Sequence, residues 1–347
     1  MNTRIKSTEF DFHLPVERIA QRPRPAEEQK LLVFDRQSHT IVHHLFSQLP
    51  RLLRAGDVVV VNNSRVIPAA LRLANGTFIL FTNPMSQSFM RTQVICPRKL
   101  DVGERLEFTS GVFIVREQES QPNLYLGDLL PNENLPSLQT FLQKHGSMPL
   151  PNYINRAPDD RDEQDFQTVF ARHLGSIAAP TASLHFTREV IEELLAREIE
   201  VVELTLHIGH GTFRSFKTEY VDEHKMDKEE YHVSLSSLQR LGKALRENRR
   251  IIAVGTTSTR VLESIAPYIQ HYETVEQDIT ASTDIFIYPP YSFKIISGLL
   301  TNFHYPKMPV MSLACAFCGL EELRRVYQAA LELDYLFYSY GDAMLAL

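Results

Sequence analysis

The sequence predicts an α/β fold, a largely parallel sheet flanked by helices, with an inserted small β-barrel domain. Three observations carry this. In the second half of the chain, buried β-branched runs alternate with helical periodicity, the pattern of parallel strands joined by covering helices. The runs 57–61 (DVVVV) and 251–254 (IIAV) are almost wholly apolar, as expected of strands buried on both faces. Between residues 69 and 148 helical periodicity is largely absent, and short β-rich runs alternate with turn residues. The expected boundaries follow: 1–68 and 149–347 form the α/β domain, and 69–148 the barrel.

In chain order, residues 8–15 read as a short extended segment. The following loop, RIAQRPRP, is basic and rigid, because its two prolines block helix. Residues 31–35 and 40–42 suggest a hairpin, and 45–53 a weak helix. The strand at 57–61 ends in NNSRVIP, a dense polar cluster. Such a cluster either closes a turn by side-chain-to-backbone bonds or orients a ligand, and the local pattern favours the turn. Barrel strands are expected at 77–81, 93–96, 105–108, 112–116 and 124–126, with a helix at 138–144. After Pro149-Leu150-Pro151 the strand–loop–helix pattern resumes.

Residues 175–214 organise the rest. A small, polar loop leads into a helix expected at 187–198, where Thr187 can cap, Glu189 suits the positive end and Phe186 can staple onto Ile191. Val190, Ile191, Leu194 and Leu195 fall on one stripe, which should be buried. A β-branched run at 199–208 then delivers Gly209-His210-Gly211-Thr212, where two glycines around a histidine allow close approach of backbone to a ligand. After the 251–254 strand comes GTTSTR, with a helix expected from about residue 261 to Pro267. Glycine and hydroxyls at a helix N-terminus suit a carboxylate or a phosphate. Residues 283–288 read as a further strand before Pro289-Pro290. Thr301-Asn302-Phe303-His304 is another polar cluster, and the chain closes on an aromatic run ending in Gly341-Asp342.

Composition bounds the function. The 347 residues are 44% hydrophobic, enough for two cores. No apolar run reaches the roughly 18–20 residues of a membrane span, and the first residues lack a signal-like segment. Three cysteines point to a reducing compartment, so a cytoplasmic location is expected. The net charge of −6 argues against indiscriminate nucleic-acid binding, although residues 1–110 carry net +5 and the remainder −11. Cys315 and Cys318 have CxxC spacing but lie in an apolar run without a second ligand pair. His207 and His210 lack a zincin glutamate, and no Gly-x-Ser-x-Gly elbow occurs. No metal site is expected.

Taken together and in order, the segments DFHLPVERIAQRPRP, GDVVVVNNSRVIPAAL, MPLPNYINR, FQTVFARHLGSIAAPTASLHF, LTLHIGHGTFR, IIAVGTTSTRVLES, TDIFIYPPYSF, LLTNFHYP and YSYGDAML resemble the S-adenosylmethionine:tRNA ribosyltransferase-isomerases of queuosine biosynthesis. The likeness spans nearly the whole chain. It implies an α/β domain built from both chain ends with an inserted barrel. It also implies transfer and isomerisation of the ribosyl moiety of S-adenosylmethionine onto 7-aminomethyl-7-deazaguanine at a tRNA wobble position. The products are epoxyqueuosine-tRNA, adenine and methionine. Implied partners are tRNA and S-adenosylmethionine as co-substrate, with no cofactor, no membrane and a monomeric chain.

That chemistry needs a base for an acidified ribose C5′ hydrogen and a donor to the leaving adenine. His185 and His207, titratable near neutrality, are the acid–base candidates, with Asp342 beside them. Gly255, Thr256, Thr257 and Ser258 are expected to cradle the methionine carboxylate. Asn62, Asn63 and Arg65 would orient ribose or base, while Thr181, Gly209, Gly211, Thr212, Asn302 and His304 complete the wall. Arg22, Arg24 and Arg98 are the candidates for tRNA phosphates. Ser183 stands where the family favours glycine. Two other readings fit the same residues: a related transferase using this donor on another acceptor, and an inactive RNA-binding paralogue.

Overall fold

A computed structural model describes residues 4–213 and 215–347, with the side chains of Thr212 and Phe213 outside the description. The first strands in chain order are β1 (Lys30–Asp35), β2 (Thr40–Leu45), β3 (Val58–Asn62) and β4 (Ser64–Val66). Next come β5 (Ala70–Arg72), β6 (Phe78–Phe81), β7 (Thr92–Ile95), β8 (Arg105–Phe108), β9 (Gly111–Gln118) and β10 (Leu124–Pro131). The second half contributes β11 (His173–Ser176), β12 (Glu200–Leu206), β13 (Glu229–Val233), β14 (Ile251–Val254), β15 (Ile279–Thr283), β16 (Gly298–Asn302) and β17 (Ala343–Ala346).

Nine of these form one sheet in the order β15-β13-β12-β3-β14-β16-β17-β1-β2. Its centre, β12-β3-β14-β16, is parallel. Its margins are not: β13 and β15 run antiparallel on one side, and on the other β17 opposes β16 while β2 opposes β1. The large sheet is therefore mixed, which corrects the expectation of a largely parallel one. Periodicity reports burial and not direction. Thus the wholly buried AMLA of β17 has the same texture as a parallel core strand.

Alternation along β3 shows how the sheet is covered. Val58 and Val60 pack with Leu238, Leu241 and Ala244 of the helix Leu235–Arg246. Val59 and Val61 face the other way, onto Val190 and Leu194 of the helix Arg188–Ala196. Helices thus lie on both faces, and a β-branched strand satisfies each at once. The latter helix starts as its sequence dictates, with Thr187 Oγ1 accepting the Val190 N–H at 3.3 Å.

Residues 70–131 supply a second sheet, β5-β6-β7-β10-β9-β8. The Ala74 N–H donates to the Glu107 carbonyl at 3.2 Å, linking its two margins, so the sheet is barrel-like and nearly closed. Phe81, Phe113, Tyr125 and Phe141 fill it. The two ends of this stretch meet where Ala70 bridges Ser147. Beside that bridge, a Cβ at Gly146 would lie 1.7 Å from the Pro68 carbonyl oxygen and 2.5 Å from that of Leu142. Both obstacles are backbone, which cannot swing aside. Gly146→Ala is therefore expected to destabilise the chain by about 3 kcal/mol, the upper end of ordinary overpacking costs, read as a fall in the urea midpoint. A wild-type midpoint would show that this junction yields freely.

Three local expectations shift. Residues 8–15 form no strand; a 3-10 turn, Ser7–Phe10, stands at their start. The strand expected at 283–288 lies earlier, as β15, because the Thr283 hydroxyl accepts the Ile285 N–H at 3.1 Å and closes a turn there. The helix expected from about residue 261 begins at Gly255, so its hydroxyl residues occupy the first turn.

Candidate active site

Parallel β3, β12, β14 and β16 place their C-terminal ends on one edge, at Asn62, Leu206, Val254 and Asn302. In sequence order they occupy positions two, one, three and four, so the crossovers leaving the neighbours β3 and β14 run in opposite directions and open a crevice at that edge. A cavity occupies it. Thr181, Gly255, Thr256, Thr257, Asn302 and His304 all line this cavity, so residues from three separate polar loops converge.

One end of the cavity is the start of the helix Gly255–Ser264. Gly255 has φ +82°, which lets the chain leave β14 and enter the helix without strain. No side chain caps this helix. The hydroxyls of Thr257 and Ser258, 6% and 0% exposed, have no hydrogen-bond partner. Unpartnered hydroxyls beside free helical N–H groups leave acceptor-seeking capacity directed at an anion. Nearby, the buried Ser183 hydroxyl is likewise unpartnered. It closes the 3-10 turn Thr181–Ser183 without a positive φ, so no strain accompanies the departure from glycine.

Asn302 forms the opposite corner. Its Nδ2 donates to the Tyr338 carbonyl at 2.8 Å and the Ser339 carbonyl at 3.3 Å. Its Oδ1 is thereby turned toward His185 Nε2, 3.3 Å away, so Nε2 carries the proton. The imidazole stacks on Phe46 at 4.9 Å, and its Nδ1 lies 3.1 Å from Gln29 Oε1. Burial lowers the His185 pKa to about 4, against a smaller upward pull from Asn302. His185 therefore stands one contact behind the cavity wall and is neutral at pH 7. His304, which does line the cavity, is held between Tyr327 Oη and Thr301 Oγ1, each at 3.2 Å, and burial lowers it to about 4 as well.

These depressed values have a consequence for stability. The unfolded chain protonates its histidines near pH 6.5 and the folded chain only near 4. As pH falls through that window, proton uptake favours the unfolded state; above pH 7 the effect vanishes. His185 alone is expected to cost about 2 kcal/mol at pH 5. Urea midpoints at pH 7.5 and 5.0, compared with those of His185→Gln, measure this, and an unchanged difference between pH values in the variant would refute it.

The other candidates fall elsewhere. Asn62 clamps β3 to β12 through the Leu206 N–H and carbonyl, both at 3.0 Å, and accepts the Ser64 N–H. Asn63 binds Thr205 and Glu203, and Arg65 is exposed on β4. His207 lies against Gly175, where a Cβ would meet its Nδ1 at 2.4 Å, and it lines neither this cavity nor the cleft described below. Burial lowers its pKa, with Glu230 opposing. Asp342 is buried, accepting the Lys30 and Leu336 N–H groups, and burial raises its pKa. Arg24 lies 3.5 Å from Asp342, Arg22 pairs with Asp159 and Asp162, and Arg98 with Glu104. The Thr212 side chain lies outside the described residues.

A larger cleft, about 770 Å³, lies between the barrel-like sheet and the large one. Gly209, His210, Asn152, Ile154 and Ile177 line it, while their chain neighbours Ile208, Tyr153 and Ala179 line the cavity. In the loop Gly209-His210-Gly211, Gly211 serves close approach to one of the chain's own carboxylates. Gly209 N–H donates to Glu229 Oε1 at 2.8 Å, and a Cβ at Gly211 would sit 2.2 Å from Asp227. Sequence reasoning also missed three tyrosines on the cavity wall, Tyr153, Tyr305 and Tyr338. The run YLFYSYGD advertised aromatics, but nothing local paired Tyr338 with Tyr153 or Tyr305.

Among the described residues, no group of three or more His, Cys, Asp or Glu is placed to hold a metal ion, and no helix is long and apolar enough to cross a membrane. A family model described as queuosine biosynthesis protein matches residues 7–346. The chain belongs to that family. Among its queuosine-biosynthesis relatives, an S-adenosylmethionine:tRNA ribosyltransferase-isomerase of Desulfitobacterium hafniense is 41% identical, covering 99% of this chain and all of the relative. One of Chlorobaculum parvum is 42% identical over 98% of this chain and 99% of its own length. The crystal structure of an S-adenosylmethionine tRNA ribosyltransferase from Thermotoga maritima superposes with a TM-score of 0.55 at 28% identity. It covers 98% of this chain and 100% of that one.

Proposed function

We propose that this protein is an S-adenosylmethionine:tRNA ribosyltransferase-isomerase of queuosine biosynthesis. It moves and isomerises the ribosyl part of S-adenosylmethionine onto 7-aminomethyl-7-deazaguanine at a tRNA wobble position, releasing adenine and methionine. Full-length similarity to relatives of that name supports the activity. The observation that carries the site is the cavity at the strand ends, with an uncapped helix start at one end and Asn302 and His304 at the other.

In this reading the methionine carboxylate lies at the start of the helix Gly255–Ser264, where Thr256, Thr257 and the first N–H groups receive it. Asn302 and His304 face the ribose and adenine. Buried with both ring nitrogens held, by Tyr327 Oη and Thr301 Oγ1, His304 stays neutral and shapes the wall instead of serving as an imidazolium acid. His185 acts through Asn302, fixing the amide that fixes the Tyr338 backbone. Residues 69–148 form an inserted domain, and the tRNA anticodon loop is brought to the cavity. A wobble base in a single-stranded loop reaches a pocket without melting a helix. The co-substrates are S-adenosylmethionine and tRNA, the chain acts as a monomer in the cytoplasm, and neither metal nor further cofactor takes part.

Incubation with S-adenosylmethionine and tRNA bearing the aminomethyl-deazaguanine tests this, by scoring adenine and methionine release. Release that requires the tRNA supports the proposal; release only with another acceptor, or binding without release, would overturn it.

A further inference from the structure

Tyr338 carries a backbone φ of +74°, an unusual state for a bulky residue. Its position is over-determined: its N–H donates to the Phe303 carbonyl at 2.9 Å, and its carbonyl accepts from Asn302 Nδ2 and from the Gly341 N–H. The effect is to set its ring between two others. Tyr153 stacks on it with centroids 3.6 Å apart and planes 26° apart, and Tyr305 lies 4.9 Å away at 36°. Tyr153 is itself fixed by a hydrogen bond between its hydroxyl and that of Ser339. All three tyrosines line the cavity.

The series has a direction. Tyr305 is 37% exposed and also borders a surface groove with Phe12, His13 and Lys307, so it stands at the mouth. The cavity beside the rings is lined on one side by the small residues Ala179, Pro180 and Ala182 and otherwise by Ile208, Phe303, Met308 and Val310. Backbone strain held in place by a buried amide, serving to stand one aromatic ring between two others, is expected where the rings receive a ligand. A nucleobase has a π-face that stacks on such a platform irrespective of its edge groups.

We propose that Tyr305 is the outer rung of a stacking ladder that receives the base extruded from the tRNA anticodon loop, with Tyr338 and Tyr153 holding it rigid beneath. This rests on the ribosyltransferase reading. The adenosyl group of S-adenosylmethionine offers the same π-chemistry, but its methionyl end is drawn to the helix start, whereas Tyr305 stands at the cavity mouth.

An anticodon stem-loop RNA carrying 2-aminopurine at the wobble position is the probe, because stacking quenches its fluorescence. Wild type is expected to quench it, and Tyr305→Phe to retain that quenching. Tyr305→Leu should lose it and bind the RNA about 5- to 150-fold more weakly, the range of one base-stacking contact. S-adenosylmethionine affinity, measured by calorimetry, should shift less than twofold. Equal quenching by wild type and Tyr305→Leu would overturn the proposal, as would a loss confined to S-adenosylmethionine. Because quenching needs no turnover, an enzyme that stacks the probe without releasing adenine would sink the catalytic reading and leave the ladder standing.

Discussion

Replacing Arg260 by alanine is expected to destabilise the protein by about 3–5 kcal/mol, the usual result of leaving a buried charge without its partner. The Arg260 and Glu229 side chains are 5% and 4% exposed and bonded to one another. Arg260 also donates to the Thr283 carbonyl at 3.3 Å and the Ile285 carbonyl at 3.2 Å, so its loss takes the guanidinium from two carbonyls as well as from a buried carboxylate. Glu229 in turn holds the Gly209 N–H at the edge of the large cleft. The pair therefore ties the helix behind the anion end of the cavity to the loop bordering the cleft. Urea unfolding measures the loss, and a shift below 1 kcal/mol would show the site to be wetter than its burial indicates. The double variant Arg260→Met with Glu229→Leu should be less damaged than the single one, because no charge is then left buried alone.

Asn302→Ala should lower stability and activity together, and activity further. Stability falls because the Ser339 carbonyl and the Nε2–H of His185 lose their partner, while the Tyr338 carbonyl keeps the Gly341 N–H. Each buried group left unsatisfied costs on the order of 1–3 kcal/mol, offset in part where water enters the cavity. Activity falls further because the Asn302 amide is one of the groups that hold Tyr338 at positive φ. Asn302→Asp keeps an acceptor toward His185 but turns a second acceptor oxygen onto the Tyr338 and Ser339 carbonyls in a buried site, so turnover and the urea midpoint should both fall at least as far as in Asn302→Ala. If Asn302→Asp turned over tRNA as wild type does, the amide would have no part in shaping the cavity.

Much of the site was legible in local sequence because it depends on residue type at strand ends. Gly255 and the hydroxyls after it had to leave a buried strand and start a helix, and they do. Thr301 and Asn302 end a buried strand, His304 follows it, and they meet those residues at the cavity. What misled was chemical type without direction. His207 has the right chemistry, but β12 alternates, sending Leu206 and Ile208 into the core and His207 toward Gly175. Asn62 and Asn63, read as ligand groups under one alternative, are used up holding β12. Arg22, Arg24 and Arg98 were chosen for charge, and each has a carboxylate beside it.

Alternation and apolar runs sufficed for the covered strands, the short barrel strands and the capped helix at 188–196, because those properties belong to a residue and its near neighbours. Strand direction, the mixed sheet and the stacking of Tyr153, Tyr338 and Tyr305 came only with the folded chain. The pairing of β17 with β16 and β1 and the stacking of the tyrosines join partners more than 30 residues apart, which no local preference settles.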